Sequence, residues 1–268
     1  MIGVYCLLVG VVACCIQAAA SETPASFDAQ QAKRINQAVA AAIEARQLPG
    51  CVVLIGRRDR ILYQKAHGNR QLKPEALAMT VETVFDLASL TKPLATATSV
   101  MLLVERGEIE LDAPASRYLE EFRGHGKEKV TVRQLLLHTS GLTPDNHLRD
   151  YQDGPEKAWE RICDLQLLSQ PGERFRYSDV GFIVLGQLVQ RVGRKPLHEF
   201  AAENIYQPLR MQETGFLPAK KLRDRAAPTQ QRNGQWMRGQ VHDPRAFELG
   251  GVAGHAGLFS TAQDLARY

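Results

Sequence analysis

Apolar and polar positions alternate with two different periods in the first third of the chain. Residues 26–47 place apolar side chains at helical spacing, which predicts an amphipathic helix with Ser26 as its N-cap. Residues 51–56 and 61–66 are rich in strand-forming side chains around a charged turn, which predicts a β-hairpin. Residues 69–83 are mostly polar, so we expect a linker there. The pattern therefore predicts a helix followed by one flank of an antiparallel sheet.

Residues 94–104 are apolar or small on nearly every face, and this pattern predicts a helix that is buried all round. Pro93 stands in the expected first turn, and Gly107 is a typical stop signal. Four further stretches have helical spacing: 130–137, 158–168, 181–192 and 197–205. We therefore predict a mainly helical lobe over residues 85–216.

After this lobe the chain becomes irregular and then glycine-rich. The glycines of residues 250–257 are expected to turn the backbone, and a last helix is predicted from about Ala262. The predicted fold class is thus α+β, with an antiparallel sheet flanked by helices plus an all-helical lobe.

Residues 1–20 have the pattern of a segment that is removed from the mature protein. An apolar run over residues 2–16 is followed by small and then polar residues, and it is too short for a membrane span. This predicts a secretory signal peptide. Residues 11–14 also resemble a lipobox, in which Cys14 would be the lipidated N-terminus, although ordinary cleavage is favoured. Both interpretations predict a secreted or periplasmic protein, which the lipid would anchor to the cell envelope.

Composition and cysteine use exclude several classes of function. The 268 residues carry a net charge of +4, with 44% apolar and 23% charged side chains, as in ordinary globular proteins. No basic stripe interleaved with aromatic residues occurs, so we predict no nucleic-acid partner. Outside the leader only Cys51 and Cys163 remain, and free thiols are favoured over one disulfide. The seven histidines show no metal-ligand spacing, so we predict neither a metal nor another cofactor.

The motif Ser-Leu-Thr-Lys at residues 89–92 is the first candidate for chemistry. On a helix, this spacing places the Ser89 hydroxyl and the Lys92 amine on one face, one turn apart. Ser89 could then act as a nucleophile, with a desolvated Lys92 as the base that takes its proton. The alternative is a capping serine beside a solvated lysine, and the motif alone does not exclude it.

A second motif, Tyr-Ser-Asp at residues 177–179, follows a turn that leads to a predicted helix start. A tyrosine beside a lysine can share its proton and deliver it to a leaving group, which would make Tyr177 a general acid. The alternative is structural: Ser178 or Asp179 would simply cap the helix that follows.

Five separated motifs, in this order, resemble one family. They lie at residues 85–93, 138–142, 171–179, 208–211 and 257–261. Together they are similar to the serine β-lactamase and penicillin-binding-protein superfamily, in the branch that resembles class C β-lactamases, D-alanyl-D-alanine carboxypeptidases and related esterases. The resemblance spans about residues 28–268. It implies a β-lactamase/transpeptidase-like fold, in which residues 27–84 and 217–268 form part of an α/β lobe. Ser89 would lie in the cleft between this lobe and the mainly helical one.

The resemblance also implies roles for individual residues. Ser89 matches the acylated serine, Lys92 its general base, and Tyr177 the phenol that relays the proton to the leaving group. The backbone N–H of Ser89 should form half of the oxyanion hole. Asp179 stands where most members have asparagine. An ionised aspartate accepts hydrogen bonds but donates none, and it pairs with Lys92, which argues against β-lactam turnover.

A further motif of the family is expected beyond the end of this sequence. Members carry Lys-Thr-Gly or His-Thr-Gly on a strand after the last predicted helix, and the sequence ends at Tyr268 inside that helix. We therefore expect a truncated chain without its C-terminal strands, left with a two-stranded hairpin, that folds poorly alone. His255 lies upstream and is interpreted as a loop residue near the mouth of the site, in a substrate-binding or supporting position.

The predicted function is a serine hydrolase that works through an acyl-serine intermediate. Its substrates would be D-alanyl-D-alanine peptides, β-lactams or small esters, with carboxypeptidase or esterase activity favoured over true β-lactamase activity. The alternative is a truncated, non-catalytic fragment or pseudoenzyme that binds wall peptides or a partner. A third alternative, a helical structural protein with a chance motif, is the least favoured.

Overall fold

The structure is a computed structural model that describes residues 27–268. The predicted signal peptide, Cys14 and the predicted N-cap Ser26 lie outside the described residues. The helices are α1 Ala29–Glu44, α2 Thr98–Glu105, α3 Val132–Leu136, α4 Pro155–Cys163, α5 Asp179–Gly193, α6 Leu197–Ala201, α7 Lys220–Arg223, α8 Pro244–Glu248 and α9 Ala262–Leu265. The strands are β1 Gly50–Arg57, β2 Arg60–Gln71, β3 Leu77–Ala78, β4 Phe85–Asp86, β5 Gly215–Phe216, β6 Gln231–Arg232, β7 Gln235–Trp236 and β8 Leu258–Ser260.

The first sheet contains the predicted hairpin and one strand more. Helix α1 begins after Asp28, whose carboxylate accepts from the Gln31 N–H in a reciprocal capping box. Strands β1 and β2 pair antiparallel, and β3 pairs with β2, so the order within the described residues is β1-β2-β3. The expected linker at residues 69–83 therefore contains the end of β2 and all of β3. The expectation of a sheet with two strands is wrong for the same reason.

The second sheet joins distant parts of the chain. Strand β8 lies between β4 and β5 and pairs antiparallel with both. Both ends of the predicted helical lobe, at residues 85–86 and 215–216, are thus strands rather than helix ends. Between them lie helices α2 to α6. The division into two lobes is otherwise a prediction, whereas the predicted α+β class is confirmed.

The helix predicted at residues 94–104 differs from its prediction in two ways. It begins as a π-helical segment at Lys92–Ala97 and continues as α2. It is also not buried all round, because the Met101 side chain is 46% exposed. An apolar pattern reports which side chains can be buried, but the packing of neighbouring elements decides which of them are.

Helix α5 is the centre of the main hydrophobic core and packs against α2, α3 and α6. Nine of its residues are buried, so little of its length touches solvent. This helix starts directly after Tyr177 and Ser178, and the π-helical segment that carries Lys92 packs against it. The core therefore holds the two predicted motifs next to each other.

Two further sequence predictions concern the membrane and the cysteines. Among the residues that the structure describes, no helix is both long and apolar enough to cross a membrane. Cys51 and Cys163 are both free thiols, as predicted, and burial raises the pKa of Cys163 to about 12. Such a thiol stays protonated at neutral pH and is a poor nucleophile.

Candidate active site

Strand β8 holds the turn that carries Ser89 on both sides. The Leu87 N–H donates to the Leu258 carbonyl (2.9 Å), and the Leu258 N–H donates to Thr91 Oγ1 (3.1 Å). Thr91 is fully buried, whereas Ser89 between these two anchors is exposed. One residue of β8 thus fixes the backbone around a hydroxyl that a substrate can reach.

The residue before Ser89 has a strained backbone. Ala88 has φ +45°, in the left-handed region, and its N–H donates to Asp86 Oδ1 (2.8 Å). A β-carbon in this region costs about 1–2 kcal/mol, so the surrounding bonds must hold the turn in place. Such strain is common where a fold presents a reactive side chain.

Lys92 is buried, with 3% of its surface exposed, and three oxygen atoms lie close to its side-chain nitrogen. The Nζ atom lies 3.0 Å from Ser89 Oγ, 3.2 Å from the His255 carbonyl oxygen and 2.5 Å from Asp179 Oδ1. Two of these contacts are hydrogen bonds, to Ser89 Oγ and to the His255 carbonyl, and the third is an ion pair with the Asp179 carboxylate, so the buried ammonium has a counter-ion. In this state Lys92 donates a proton toward Ser89 rather than accepting one.

The second motif contributes three side chains with three different roles in the structure. Ser178 is the N-cap of α5: its Oγ accepts from the Gly181 N–H (3.0 Å) and donates to the Thr143 carbonyl (2.7 Å). Asp179 instead pairs with Lys92. Tyr177 is 44% exposed, and Lys92 Nζ lies 4.8 Å from the centroid of its ring, within cation–π range. The capping alternative thus describes Ser178, and not its neighbours.

His255 lies inside the site and not at its mouth, so the predicted position is wrong. It is 1% exposed, its carbonyl accepts from Lys92, and its Nε2 lies 2.9 Å from Asp243 Oδ1. The physical reason is the residue before it. A Cβ on Gly254 would lie 1.9 Å from the Phe182 carbonyl oxygen, so the absence of a side chain lets this segment pack directly on α5. The glycine run therefore supplies close approach as well as turning.

Asp243 is a site residue that the sequence analysis missed. Its Oδ1 accepts from the Ala246 N–H (2.8 Å) as the N-cap of α8, and it also pairs with His255. Burial opposes ionisation of this carboxyl, but the His255 contact and the capped N–H outweigh it and lower its pKa to about 2. The sequence Asp243-Pro244 is a recognisable helix start. No local signal indicates the pairing with His255.

Asp179, Asp243 and His255 form a compact cluster of charged and titratable groups. Among the described residues, these three offer ligand atoms within 4.8 Å of one another, which is close enough to hold a metal ion. However, Asp179 already pairs with the Lys92 ammonium and Asp243 with His255. Both carboxylates thus already have partners among the protein's own side chains.

Comparison with known proteins gives a consistent set of similarities. A model of the Beta-lactamase family matches residues 35–268. An "N-acetylmuramyl-L-alanine amidase" of Bacillus subtilis (strain 168) is 31% identical, over 90% of this chain and 63% of that protein. A "Putative D-alanyl-D-alanine carboxypeptidase" of Salmonella agona (strain SL483) is 30% identical, over 92% of this chain and 65% of that protein. The chain thus spans less than two thirds of the length of these relatives.

Two solved structures have a similar fold. One is an octameric penicillin-binding protein homologue from Pyrococcus abyssi, with a TM-score of 0.72 and 26% identity, over 88% of this chain and 55% of that chain. The other is EstCE1, a hydrolase with promiscuous acyltransferase activity, with a TM-score of 0.69 and 26% identity. That match covers 88% of this chain and 70% of EstCE1.

Proposed function

The chain belongs to the beta-lactamase family and has its β-lactamase/transpeptidase-like fold, and from this premise we propose that it acts through an acyl-serine intermediate at Ser89. The observation that carries the proposal is the contact between Ser89 Oγ and Lys92 Nζ (3.0 Å) beside an exposed serine on a strained turn. A serine and an amine within hydrogen-bond reach are the geometric signature of an activated nucleophile.

In the proposed acylation, the proton of Ser89 passes to Lys92, and a proton is then delivered through Tyr177 to the leaving group. In the reactive form Lys92 is neutral and takes the Ser89 proton while Ser89 Oγ bonds to the substrate carbonyl carbon. Tyr177 then delivers a proton to the leaving group as its bond to that carbon breaks, and Lys92 restores the proton of Tyr177. Water next attacks the acyl-serine ester and releases the acid and the free hydroxyl. The Ser89 N–H would stabilise the negative oxygen in both steps.

Asp179 bears on which substrates are favoured. Asp179 forms an ion pair with Lys92 at 2.5 Å, where the resemblance implies an asparagine in most members of the family. An asparagine at this position can donate a hydrogen bond to a substrate, whereas an ionised aspartate only accepts hydrogen bonds. We therefore propose carboxypeptidase or esterase activity ahead of true β-lactamase activity. The names of the amidase, the carboxypeptidase and EstCE1 support D-alanyl peptides, related wall amides or small esters as substrates.

A location outside the cytoplasm belongs to the same proposal. Wall peptides are found there, and the pattern of residues 1–20 predicts secretion. An assay of the secreted product by intact-protein mass spectrometry would report both the processed N-terminus and any lipid on Cys14.

The decisive experiment for the proposal is intact-protein mass spectrometry with penicillin and with a chromogenic small ester. We expect the wild-type chain to form a covalent adduct with at least one of the two, and Ser89→Ala to form none. Ser169→Ala is a matched control, because its buried hydroxyl has no hydrogen-bond partner among the described residues. An adduct that persists in Ser89→Ala would contradict the assignment of the nucleophile. No adduct and no ester turnover in the wild type would favour the non-catalytic alternative.

A further inference from the structure

His138 has a backbone conformation that is costly for a residue with a side chain. It follows helix α3 and has φ +57°, in the left-handed conformation that glycine or asparagine usually adopts after a helix. The cost of this conformation is about 1–2 kcal/mol for a residue with a β-carbon. A side chain kept at such a position is expected to make contacts that glycine could not make.

Two hydrogen bonds join His138 to the residues on either side of Tyr177. The Arg176 N–H donates to the His138 carbonyl oxygen (2.7 Å), and the Ser178 N–H donates to the imidazole Nδ1 (3.0 Å). The backbone of His138 therefore holds the segment before Tyr177, and its side chain holds the segment after it. A movement of the Tyr177 backbone away from His138 would therefore break one of these two hydrogen bonds.

The imidazole also contacts the Tyr177 ring itself. Their centroids lie 4.3 Å apart with an angle of 29° between the planes, which is a stacked arrangement. Phe175 and Phe182 pack against the same imidazole at centroid distances of 5.8 and 5.0 Å. Tyr177 is 44% exposed, so few other groups restrict its ring. The stacked imidazole is therefore a main contact that orients the phenol.

We propose that His138 is a positioning residue for Tyr177 and that only its neutral form, with the proton on Nε2, holds the phenol in the place that proton transfer requires. The inference rests on the proposed function, because it assigns a partner to the proposed proton carrier. The hydrogen bond from Ser178 makes Nδ1 an acceptor, and a neutral imidazole has one acceptor nitrogen whereas the charged form has none.

The surroundings of the ring favour this neutral form. Burial, followed by the charge of Lys92, lowers the pKa of His138 below its usual 6.5, and the Asp179 carboxylate opposes the shift. Lys92 and Asp179 are the charged groups that face the ring, and Tyr177 is its titratable neighbour. When the pH falls through this lowered pKa, the Ser178 N–H loses its acceptor and a second positive charge forms beside Lys92. We therefore expect an acid limb in the activity below pH 6.5.

Two substitutions separate the contacts that His138 makes. His138→Phe keeps a ring to stack on Tyr177 but removes the acceptor, whereas His138→Asn keeps an acceptor and tolerates the left-handed backbone but removes the stacking. His125→Phe and His125→Asn are matched controls, because His125 also has a left-handed backbone (φ +53°) and lies at the surface. They report the cost of the substitution itself without the contact to Tyr177.

The first readout is a double-mutant cycle on the ester rate. We expect His138→Phe to lower kcat about tenfold or more with a smaller change in KM, and His138→Asn to retain a larger part of kcat. In a Tyr177→Phe background the same changes should alter kcat less than about twofold, because the group on which they act is gone. An equal loss in both backgrounds would overturn the proposal in favour of a general structural role.

The second readout does not need an active enzyme. In a chain with ¹³C-labelled tyrosine rings, with Tyr177 assigned by its loss in Tyr177→Phe, the Tyr177 signal should titrate with His138 below pH 6.5. This titration should be absent in His138→Asn and unchanged in the His125 controls. A Tyr177 signal that does not respond to His138 overturns the inference, even if Ser89 is acylated. Conversely, coupled signals without any adduct would refute the proposed function and leave the His138–Tyr177 contact in place.

Discussion

At the scale of single residues, three oxygen atoms surround the side-chain nitrogen of Lys92. Two of them, Ser89 Oγ and the His255 carbonyl, are neutral, and the third, Asp179, carries a full negative charge. A carboxylate beside an ammonium favours the charged pair, whereas an amide at the same place would favour it less. The residue at position 179 thus decides whether the proposed base has a carboxylate or an amide beside it.

Replacing Asp179 with the asparagine that the family resemblance implies should make acylation faster. Asp179→Asn removes the carboxylate that pairs with Lys92 and adds an N–H donor for a substrate carbonyl. We expect the acylation rate with penicillin to rise about tenfold, as measured by the growth of the adduct mass with time. Asp164→Asn serves as the control, because Asp164 is 87% exposed. A slower rate in Asp179→Asn would show that the carboxylate is itself needed for catalysis.

At the scale of elements, the site depends on two close approaches made by the segment before and within β8. Gly254 packs against α5 at Phe182, and its carbonyl accepts from Thr96 Oγ1 (2.7 Å) on the π-helical segment. Leu258 then bonds to both sides of the Ser89 turn. One short stretch of backbone therefore aligns the helix that carries Lys92, the start of α5 and the nucleophile.

A methyl group on Gly254 should disrupt this alignment. Gly254→Ala places a Cβ 1.9 Å from a backbone carbonyl oxygen of α5, and backbone cannot move aside cheaply. We expect a loss of about 1–3 kcal/mol in the free energy of unfolding, measured by urea denaturation, together with a lower acylation rate.

The control for this change is Gly215→Ala. Gly215 lies in β5, and a Cβ added there meets nothing within 4 Å. Its free energy of unfolding should stay within about 0.5 kcal/mol of the wild type. Equal effects of the two substitutions would mean that the contact between Gly254 and α5 does not constrain the fold.

The elements that were predicted correctly are those with strong local patterns. The hairpin strands β1 and β2 and the helices α1, α3 and α5 lie where periodicity and capping residues predict them, with boundaries that differ by a few residues. The predictions that failed depend on distant partners. Strand β3 exists because it pairs with the end of β2. Helix α4 ends at Cys163 rather than at residue 168, and the Leu168 N–H donates to the Gly141 carbonyl instead of to a helix carbonyl.

At the scale of the whole molecule, burial is unevenly distributed. The main core runs from Leu87 to Leu258 and surrounds α5, whereas α1 has no buried residue and β1 is only partly buried. The contacts of α1 with the sheet include the hydrogen bond from the Tyr63 hydroxyl to Asn36 (2.8 Å). In this chain, the part that carries the candidate site is therefore better packed than the part that contains α1 and the first sheet.

Hydrogen exchange should reveal this difference in the 268-residue chain. We expect backbone amides of α1 and β1 to exchange faster than those of α5, because local opening costs least where few apolar contacts are lost. Peptide-level hydrogen–deuterium exchange by mass spectrometry measures the comparison within one sample. Equal protection of α1 and α5 would contradict it and would indicate a single cooperative unit.

The sequence by itself determined the α+β class and the motifs that contain the proposed nucleophile, and its resemblance to a family was confirmed by the comparisons. These features depend on local spacing: three residues from Ser89 to Lys92, a capping signal before α5, and alternation in the hairpin strands. Such spacings follow from the geometry of a single helix or strand, so they can be recognised from the sequence without knowing the rest of the fold.

The tertiary structure alone decided which groups surround Lys92 and Tyr177. Lys92 and His255 are 163 positions apart, and His138 and Ser178 are 40 apart, so no local period links either pair. The His255 carbonyl reaches Lys92 because Gly254 packs tightly on α5. The His138 ring stacks on Tyr177 because the chain makes a left-handed turn at His138. These contacts exist because the chain is folded and densely packed, and packing is a property of the whole molecule.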